Sequence, residues 1–359
     1  MEPEILHSAS NTTVVQFDSW LGRRVLITGH TGFKGAWLAT LLTDAGADVY
    51  GLSLPPVQPT SAYDLLGVHK RTNSTLADIR DRQALRDVVG RADPEIVFHL
   101  AAQALVRDGY RHPVETFETN VLGTVNLLEA LRGRSTRAIV VVTSDKCYRN
   151  RERHEGYRED DPLGGDDPYS SSKAAAELVA HAYRSSYPDL PPVATARAGN
   201  VIGGGDWSRD RLVPDIVQAA LEQRPPILRY PQSVRPWQHV LESLSGYLAL
   251  AERLVEDPHA ASAWNFGPPQ EGATVAELTE YLLRALGRPT VWQRAGDPTD
   301  HEAALLHVDS TKARTELGWS NRLDVHETIE WTAKWYRAWI RGEDMREATS
   351  AQIEDYFQR

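Results

Sequence analysis

Tyr169 and Lys173 are the first residues whose types and spacing point to chemistry. They lie four positions apart in the segment PYSSSK, at the start of a predicted helix, so both side chains face the same way. A nearby ammonium favours tyrosinate and lowers the phenol pKa from its reference value of about 10. Tyr169 is therefore a candidate general base near neutral pH. A Y-x-x-x-K pair alone is common by chance, so the prediction depends on the motifs that accompany it.

A glycine-rich loop lies far upstream of this pair. In VLITGHTGFKG, three glycines form a G-x-x-G-x-x-G array directly after a predicted strand and at the head of a predicted helix. Glycine lets the backbone turn tightly and approach a pyrophosphate, whose charge is met by the helix N-terminus. The same turn could be purely structural, but its place between strand and helix favours dinucleotide binding. The candidate cofactor-binding residues of the loop are Gly29, His30, Thr31, Gly32, Phe33, Lys34 and Gly35.

The second predicted strand ends without the acid that would bind the adenine ribose. The segment GLSLPP offers Ser53 where an Asp or Glu is expected, so the sequence leaves the choice between NAD and NADP open. After the third strand, Asp78 is placed to meet the adenine amino group, with Ile79 beside it. The alternative is that Asp78 is an acid of a surface turn.

Apolar runs and helical patterns alternate through the first half of the chain. Such alternation is typical of βαβ units in a parallel sheet whose two faces are covered by helices. The predicted strands are Arg24–Thr28, Asp48–Leu52, Ile96–Leu100, Ala138–Thr143 and Val193–Ala196. The predicted helices between them are Gly35–Ala45, Arg82–Val89, Val114–Leu131 and Ser171–Tyr187. The fold class that follows is α/β with a parallel sheet.

The composition changes from Gly203 onward, where Gly and Pro recur at short intervals between helical pieces. This pattern predicts a loop-rich second lobe, closely joined to the first because no flexible linker separates them. The predicted divisions are an extension over 1–19, a dinucleotide-binding domain over 20–200 with contributions from about 236–266, a discontinuous second lobe over 201–324, and two short surface helices, broken near Gly342, over 325–359.

The composition also limits the classes of protein. The chain has 359 residues, 41% of them hydrophobic, and a formal net charge of −10, so a general attraction to nucleic acid or anionic membranes is not expected. A single cysteine, Cys147, excludes a disulfide framework and a multi-cysteine zinc site, and the scattered histidines give a metal site little support. No signal-peptide pattern and no stretch of about 20 apolar residues is seen. We expect a cytoplasmic protein in which Cys147 is a packed thiol.

The order of these motifs resembles that of the extended short-chain dehydrogenase/reductase superfamily. Between the glycine loop and the Tyr169–Lys173 pair lie HLAAQ and a strand end at Thr143-Ser144. More narrowly, HTGFKGAWL, TSDKCYRN, ARAGNVIGGGDW and RPWQHVLE are similar to the CDP-glucose 4,6-dehydratase family. This resemblance implies a Rossmann-type doubly wound sheet with a smaller α/β lobe for a nucleotide sugar. It extends the residues expected to bind NAD to Leu100, Ala101, Ala102, Gln103, Asn120, Thr143, Tyr169 and Lys173.

Within that resemblance, Ser144, Asp145 and Lys146 stand where nucleotide-sugar dehydratases place a hydroxyl, a general acid and a base. It implies that Tyr169 takes the proton of the sugar 4-hydroxyl, that hydride passes to the nicotinamide, and that the ketone acidifies the hydrogen on carbon 5. Asp145 would protonate the departing 6-hydroxyl, Lys146 would stand at the position of the carbon-5 base, and hydride would return to carbon 6. Thymidine-linked relatives carry a glutamate at the position of Lys146, and a lysine must lose its proton to act. The alternative is that Asp145 and Lys146 form a structural ion pair.

The resemblance also implies a site for CDP-glucose. Arg235 in RPWQHV offers a bidentate fork for phosphate. Asn200 resembles the asparagine that contacts the substrate diphosphate, and its alternative role is turn capping. His301 and Glu302 resemble a family element near the sugar nucleotide, whereas Gly109 stands where relatives usually carry a serine. The candidate substrate-binding residues are Arg107, Ser144, Asn200, Arg211, Pro214, Arg229, Tyr230, Arg235 and His301.

Other interpretations stay open at this point. A 4-epimerase, or a dehydratase for another nucleotide sugar, would share the Tyr169–Lys173 pair, but an epimerase needs no acid–base pair beside Ser144. A non-catalytic dinucleotide-binding regulator would usually have lost the tyrosine or the lysine. The resemblance further implies a homodimer, or a dimer of dimers, that pairs through helices of 114–131 and 171–187.

Overall fold

A seven-stranded parallel sheet forms the centre of the protein. The computed structural model describes residues 17–269, 272–296 and 305–359. The strands are β1 (Arg24–Thr28), β2 (Asp48–Ser53), β3 (Asn73–Leu76), β4 (Ile96–His99), β5 (Ala138–Val142), β6 (Val193–Arg197), β7 (Val201–Ile202), β8 (Ile227–Leu228), β9 (Val234–Arg235), β10 (Gln238–His239), β11 (Ala263–Asn265), β12 (Ala273–Thr274) and β13 (Gln293–Arg294). The sheet order is β3-β2-β1-β4-β5-β6-β11, and every pairing in it is parallel. The predicted α/β fold with a doubly wound sheet is confirmed.

Helices cover both faces of this sheet. They are α1 (Phe33–Asp44), α2 (Ala62–Leu65), α3 (Arg82–Ala92), α4 (Val106–Arg111), α5 (Pro113–Phe117), α6 (Gly123–Leu131), α7 (Pro168–Ser186), α8 (Leu212–Leu221), α9 (Val240–Glu256), α10 (Val275–Ala285), α11 (Thr311–Glu316), α12 (Val325–Ile340) and α13 (Met345–Phe357). Successive residues of β1 alternate between two cores: Val25 and Ile27 belong to one cluster of buried side chains, and Leu26 belongs to the other. Both faces of the strands are therefore buried, which explains their continuous apolar runs.

The predicted helix over Val114–Leu131 differs from the observed one in its middle. Pro113 starts α5, a π-helical segment covers Glu118–Leu122, and α6 follows. The wide turn carries Asn120, whose amide bonds the backbone of Gln103 in both directions at 2.8 and 3.0 Å. The π-helical turn thus fastens the loop after β4. π-Turns inside α-helices are frequently found at functional sites.

The second lobe consists of short elements around three two-stranded pairs. β7 pairs with β10, β9 with β12, and β8 with β13. The C-terminal helices α12 and α13 are separated by a turn at Gly342, where φ is +73°. The prediction that they lie only on the surface is wrong, because Trp335 and Tyr336 of α12 are fully buried in the larger core. Within the described residues, no helix combines the length and apolar character needed to cross a membrane.

Candidate active site

A cavity of about 1760 Å³ lies between the two lobes, at the carboxyl ends of the sheet strands. The strand order reverses between β1 and β4, and open α/β sheets bind ligands at such a switch point. Most residues that the sequence singles out line this cavity. They are Gly29, Thr31, Gly32, Phe33, Lys34, Gly35, Asp78, Ile79, Leu100, Ala101, Ala102, Gln103, Arg107, Thr143, Ser144, Asp145, Lys146, Tyr169, Lys173, Asn200, Arg211, Pro214, Arg229, Tyr230 and Arg235.

Three predicted site residues are not in that lining. His30 is fully buried and packs behind the glycine loop, with its Nε2 2.6 Å from Ser74 Oγ. Asn120 is buried between the loop after β4 and α7, where it also donates to Ser172 Oγ at 2.8 Å. Both side chains therefore support the loops that border the cavity. His301, like Glu302, lies outside the described residues.

The glycine loop is shaped by close backbone contacts. Gly29 has a φ of +82°, and a Cβ there would lie 2.6 Å from the backbone nitrogen of Ala101. A Cβ at Gly35 would overlap the carbonyl of Gly29, so both positions require glycine. Gly32 is exposed to the cavity, and a Cβ there would approach only the Gly29 carbonyl, at 3.4 Å. The loop thus presents an open backbone and the N-terminus of α1, the arrangement that binds a pyrophosphate.

The outer end of the cavity lies against β2 and the loop after β3. Ser53 and Thr31 contact each other through their hydroxyl oxygens at 2.7 Å, and Thr31 also donates to the carbonyl of Leu54. Asp78 lies at the wall and pairs with Arg80, with a closest nitrogen–oxygen distance of 2.7 Å. The hydrogen bonds from Arg80 hold the pKa of Asp78 below its ordinary value. Asp78 is therefore a charged acceptor at this end of the cavity.

Tyr169 and Lys173 lie one turn apart on α7, are both buried and reach the cavity. Lys173 Nζ donates to the carbonyl of Val142 at 3.2 Å, at the end of β5. Burial raises the pKa of Tyr169 to about 12, whereas a hydrogen bond with Ser144 and the charge of Arg211 act to lower it. Burial lowers the pKa of Lys173 to about 8. The expected net lowering of the tyrosine pKa is not seen in this structure, because burial outweighs the favourable contacts.

Asp145 is a buried carboxylate at the cavity wall. Ser144 Oγ donates to its Oδ1 at 2.9 Å, and Asn200 Nδ2 donates to its Oδ2 at 3.2 Å. Gly199 packs so closely against this carboxylate that a Cβ there would overlap it. Lys146 shows no ion pair with Asp145 in the described part of the chain, where the Lys146 side chain lines the cavity instead. The structural ion pair considered from the sequence is therefore not the arrangement observed.

The opposite wall carries several arginines that converge on two aspartates. Asp210 lies 3.3 Å from Arg107, 3.7 Å from Arg111 and 4.0 Å from Arg229, measured between the closest nitrogen and oxygen atoms. Arg211 pairs with Asp206 at 3.1 Å. Arg107 and Arg111 belong to α4 of the first lobe and the others to the second, so both lobes contribute cations. Such a cluster fits a diphosphate in a protein whose overall charge is negative.

Gly109 lies on α4 against the start of α7. A Cβ at this position would come within 3.2 Å of the backbone nitrogen of Tyr169 and 3.4 Å of its Cβ. A side chain here would therefore press on the helix that carries the tyrosine. The absence of the serine expected from the resemblance therefore affects the packing of Tyr169.

Comparisons with known proteins agree with this geometry. The sequence model of the family described as GDP-mannose 4,6 dehydratase matches residues 26–332. The chain is 47% identical over 348 residues to a CDP-glucose 4,6-dehydratase of Salmonella typhimurium, with 94% of the chain and 97% of the relative covered. The chain belongs to the GDP-mannose 4,6 dehydratase family. A dTDP-glucose 4,6-dehydratase of Streptomyces griseus is 30% identical, over 88% of this chain and 95% of its own length.

The protein shares its fold with solved structures of dehydratases and epimerases. A dTDP-glucose 4,6-dehydratase of Streptomyces venezuelae, solved with NAD bound, matches with a TM-score of 0.77 and 25% identity over 89% of this chain and 98% of its own. A UDP-glucose 4-epimerase of Thermotoga maritima matches with a TM-score of 0.77 and 21% identity, over 88% and 99% of the two chains. Because the fold serves dehydratases and epimerases alike, the side chains of the site must distinguish them.

Several residues of the site were not predicted from the sequence. Asp206 and Asp210 order the arginines, and Arg111 joins Arg107 on one face of α4. The R-x-x-x-R spacing of Arg107 and Arg111, and the two acids that precede Arg211 in GDWSRDRL, are signals that could have identified them. Cys147 is buried among Tyr148, Tyr157 and their neighbours, which confirms the prediction of a packed thiol.

Proposed function

We propose that the protein is a nucleotide-sugar 4,6-dehydratase that converts CDP-glucose to CDP-4-keto-6-deoxyglucose for deoxysugar synthesis, with NAD as a catalytic cofactor. The observation that carries this proposal is the Asp145 carboxylate, held in the cavity wall beside Ser144 and the Tyr169–Lys173 pair. A 4-epimerase needs the pair but no acid beside it. The identity to the Salmonella typhimurium enzyme favours CDP-glucose as the substrate.

The glycine loop supports NAD as the cofactor. At Gly29 and Gly35, protein backbone occupies the place that a Cβ would take. At Gly32 that place is open toward the cavity. The loop backbone would hold the pyrophosphate, Asp78 would meet the adenine, and Lys173 would bind the nicotinamide ribose. When bound, NAD supplies a hydride acceptor for carbon 4 of the sugar and a hydride donor for carbon 6. The NAD-bound dTDP-glucose 4,6-dehydratase of the same fold is consistent with this choice.

The side chains around Ser144 account for the proton movements. Tyr169 Oη takes the proton of the 4-hydroxyl as that carbon is oxidised to a ketone. The ketone acidifies carbon 5, whose proton goes to the neutral amine form of Lys146. The bond from carbon 6 to its oxygen breaks as the protonated form of Asp145 supplies a proton, so that water leaves. Lys146 returns its proton to carbon 5 when carbon 6 is reduced. The net change is the loss of one water, as the proposal requires.

Ser144 completes this cycle because it contacts both acid and base. Its hydroxyl donates to Asp145 and is also the hydrogen-bonding neighbour of Tyr169. The proton gained by Tyr169 can therefore pass through Ser144 to the Asp145 carboxylate that has lost one. This relay returns both residues to their starting states.

The arginine cluster would bind the substrate diphosphate. Arg107, Arg211 and Arg229 line the cavity from both lobes, and each is already paired with an aspartate. Guanidinium groups recognise phosphate oxygens through paired N–H donors. Arg235 is 7% exposed and its Nη1 donates to the carbonyl of Val234 at 2.9 Å, which orients its guanidinium.

The function is tested by incubating the purified protein with NAD and CDP-glucose and measuring product mass. We expect a product lighter by one water, formed faster from CDP-glucose than from the UDP, dTDP or GDP analogues. Loss of water from another nucleotide sugar but not from CDP-glucose would refute the substrate and retain the reaction. No loss of water from any of them would refute the dehydratase proposal.

Two variants separate a dehydratase from an epimerase. Asp145→Asn keeps the size of the side chain but removes its transferable proton, so the dehydration rate falls while oxidation at carbon 4 continues. Lys146→Met keeps an unbranched side chain one atom shorter and removes the amine, so exchange of the carbon-5 hydrogen with solvent deuterium stops. An epimerase would retain its activity with Asp145→Asn, and this outcome would favour the alternative function.

We further propose that two subunits pair through α5, α6 and α7, as the homodimer or dimer of dimers expected from the resemblance. Apolar side chains on this surface are exposed, including Val114 at 70%, Leu122 at 53% and Leu178 at 57%. Exposed apolar surface of this kind is typical of subunit interfaces. Leu178→Glu should lower the molecular mass in sedimentation from that of a dimer to that of a monomer, and an unchanged mass would refute this interface.

A further inference from the structure

Glu177 lies one helical turn beyond Lys173 on α7 and is 4% exposed. Its Oε1 accepts a hydrogen bond from Thr143 Oγ1 at 2.5 Å, at the end of β5. Its Oε2 accepts from Thr195 Oγ1 at 2.7 Å and from Arg197 Nη2 at 2.8 Å, both on β6. One carboxylate therefore joins the helix that carries Tyr169 and Lys173 to the ends of two sheet strands.

Arg197 extends this connection toward the segment that carries Asp145. Its Nη1 donates to Tyr148 Oη at 2.7 Å and to the carbonyl of Glu159 at 3.0 Å. Tyr148 directly follows the turn Asp145–Cys147, and its hydroxyl donates to Asn265 Oδ1 at 2.7 Å. The side chains of Arg197 and Glu177 are 4% and 3% exposed, so this ion pair is buried. A buried charge is strongly disfavoured when its partner is lost, so the pair fixes the relative positions of these elements.

The charge of Glu177 also faces Lys173. Tyr169 lies one turn before that lysine on α7. Titratable groups act on the lysine from several elements: Glu177 on α7, Cys147 in the turn after β5, His99 at the end of β4, and Lys34 at the start of α1. Burial raises the pKa of Cys147 well above its ordinary value and lowers the pKa of His99 to about 3, so both are uncharged near neutral pH. Lys34, when protonated, repels Lys173.

Burial disfavours the ammonium form of Lys173, and Glu177 is the carboxylate that opposes this effect. We propose that Glu177 is a positioning residue for the reaction: it keeps the Lys173 ammonium charged beside Tyr169, and it fastens α7 to β6 and to the end of β5, which Ser144 and Asp145 follow. This role deepens the proposed function and rests on it. Arg197 serves as the partner that allows a carboxylate to remain charged in this buried place.

Glu177→Gln tests the charge with little change in shape. Without the negative charge of Glu177, burial should lower the pKa of Lys173 further. The alkaline limb of the kcat profile should therefore move down by about one pH unit. The pH dependence of NAD affinity, measured by calorimetric titration, should move in the same direction, because Lys173 would bind the cofactor ribose. Glu177→Asp keeps the charge and should restore the position of the alkaline limb.

Glu177→Gln alone leaves the buried Arg197 charge without its partner and could prevent folding. The double variant Glu177→Gln/Arg197→Gln removes both charges and is used in that case. Burial, Glu177 and Cys147 shift the pKa of Lys173, and Arg197 is not among these causes, so the same downward shift is expected. Thr195→Val is the matched control, because it removes one hydrogen bond to Glu177 and keeps both charges. It should lower the melting temperature without moving either pH profile.

The outcomes distinguish this inference from the proposed function. If the wild-type protein shows no dehydratase activity, the proposed function fails, and the pH dependence of NAD affinity still tests Glu177. If the wild type is active and the folded Glu177 variants keep both profiles in place, the inference is wrong. An equal shift in Thr195→Val would also overturn it, since the effect would then come from the hydrogen bonds and not from the charge.

Discussion

Gly199→Ala should stop water elimination while oxidation at carbon 4 continues. The backbone at Gly199 is outside the left-handed region, so it accepts an alanine without conformational strain. The added methyl would overlap the carboxyl carbon and both carboxyl oxygens of Asp145, whereas ordinary contact begins at 3.4 Å. The carboxyl group must therefore withdraw by about 1 Å or more, and an error of this size at a reacting group costs about 100-fold in rate.

The assay separates the two half-reactions. Dehydration is followed by product mass, and oxidation is followed by the absorbance of reduced nicotinamide in a single turnover. We expect dehydration to fall about 100-fold and reduced nicotinamide to accumulate. Gly90→Ala is the control, since a Cβ at that helical position meets nothing within 4 Å. Dehydration within about twofold of the wild type, or an equal loss of both half-reactions, would refute the reasoning about Asp145.

Three further predictions follow from individual contacts. Gly29→Ala places a non-glycine residue at a φ of +82°, which costs about 1–3 kcal/mol, and should lower both the melting temperature and the NAD affinity in calorimetry. Arg211→Gln removes a charge that lowers the pKa of Tyr169, so the acidic limb of kcat at saturating substrate should move to higher pH; an unchanged limb would contradict this effect. Burial raises the pKa of Glu242 from 4.5 to about 7, so this carboxyl stabilises the fold below pH 4.5 and loses that contribution as the pH rises to about 7. Relative to Glu242→Gln, the free energy of unfolding of the wild type should therefore fall by up to about 3 kcal/mol over that range in urea titrations, and parallel curves would contradict it.

The sequence predicts the fold well where burial on both faces dominates. The strand Arg24–Thr28 has the predicted bounds, and the helix over 168–186 begins close to the predicted start. Such elements follow from local apolar runs and from glycine and proline signals. The edge strand Ala263–Asn265 is only three residues long and exists because it pairs with β6, so no local pattern identifies it.

The site was predictable in its types of residue but not in its contacts. The spacing of Tyr169 and Lys173 and the order of the glycines survive in the folded chain because helices and tight turns preserve short-range geometry. The hydrogen bond from Asn200 to Asp145 joins residues 55 positions apart in the sequence, and the hydrogen bond from Arg107 to Asp210 joins residues 103 positions apart. Only the packing of the two lobes brings these side chains together. The burial that raises the pKa of Tyr169 is likewise a property of the assembled core.

Transfer of deuterium within the sugar tests the central claim most directly. CDP-glucose labelled with deuterium at carbon 4 is incubated with the protein and NAD, and the product is analysed by mass spectrometry and NMR. The proposed chemistry predicts a 4-keto-6-deoxy product, lighter by one water, that carries the deuterium on carbon 6. A product that retains the deuterium on carbon 4, or a 4-epimer formed without loss of water, would contradict the assignment of a 4,6-dehydratase.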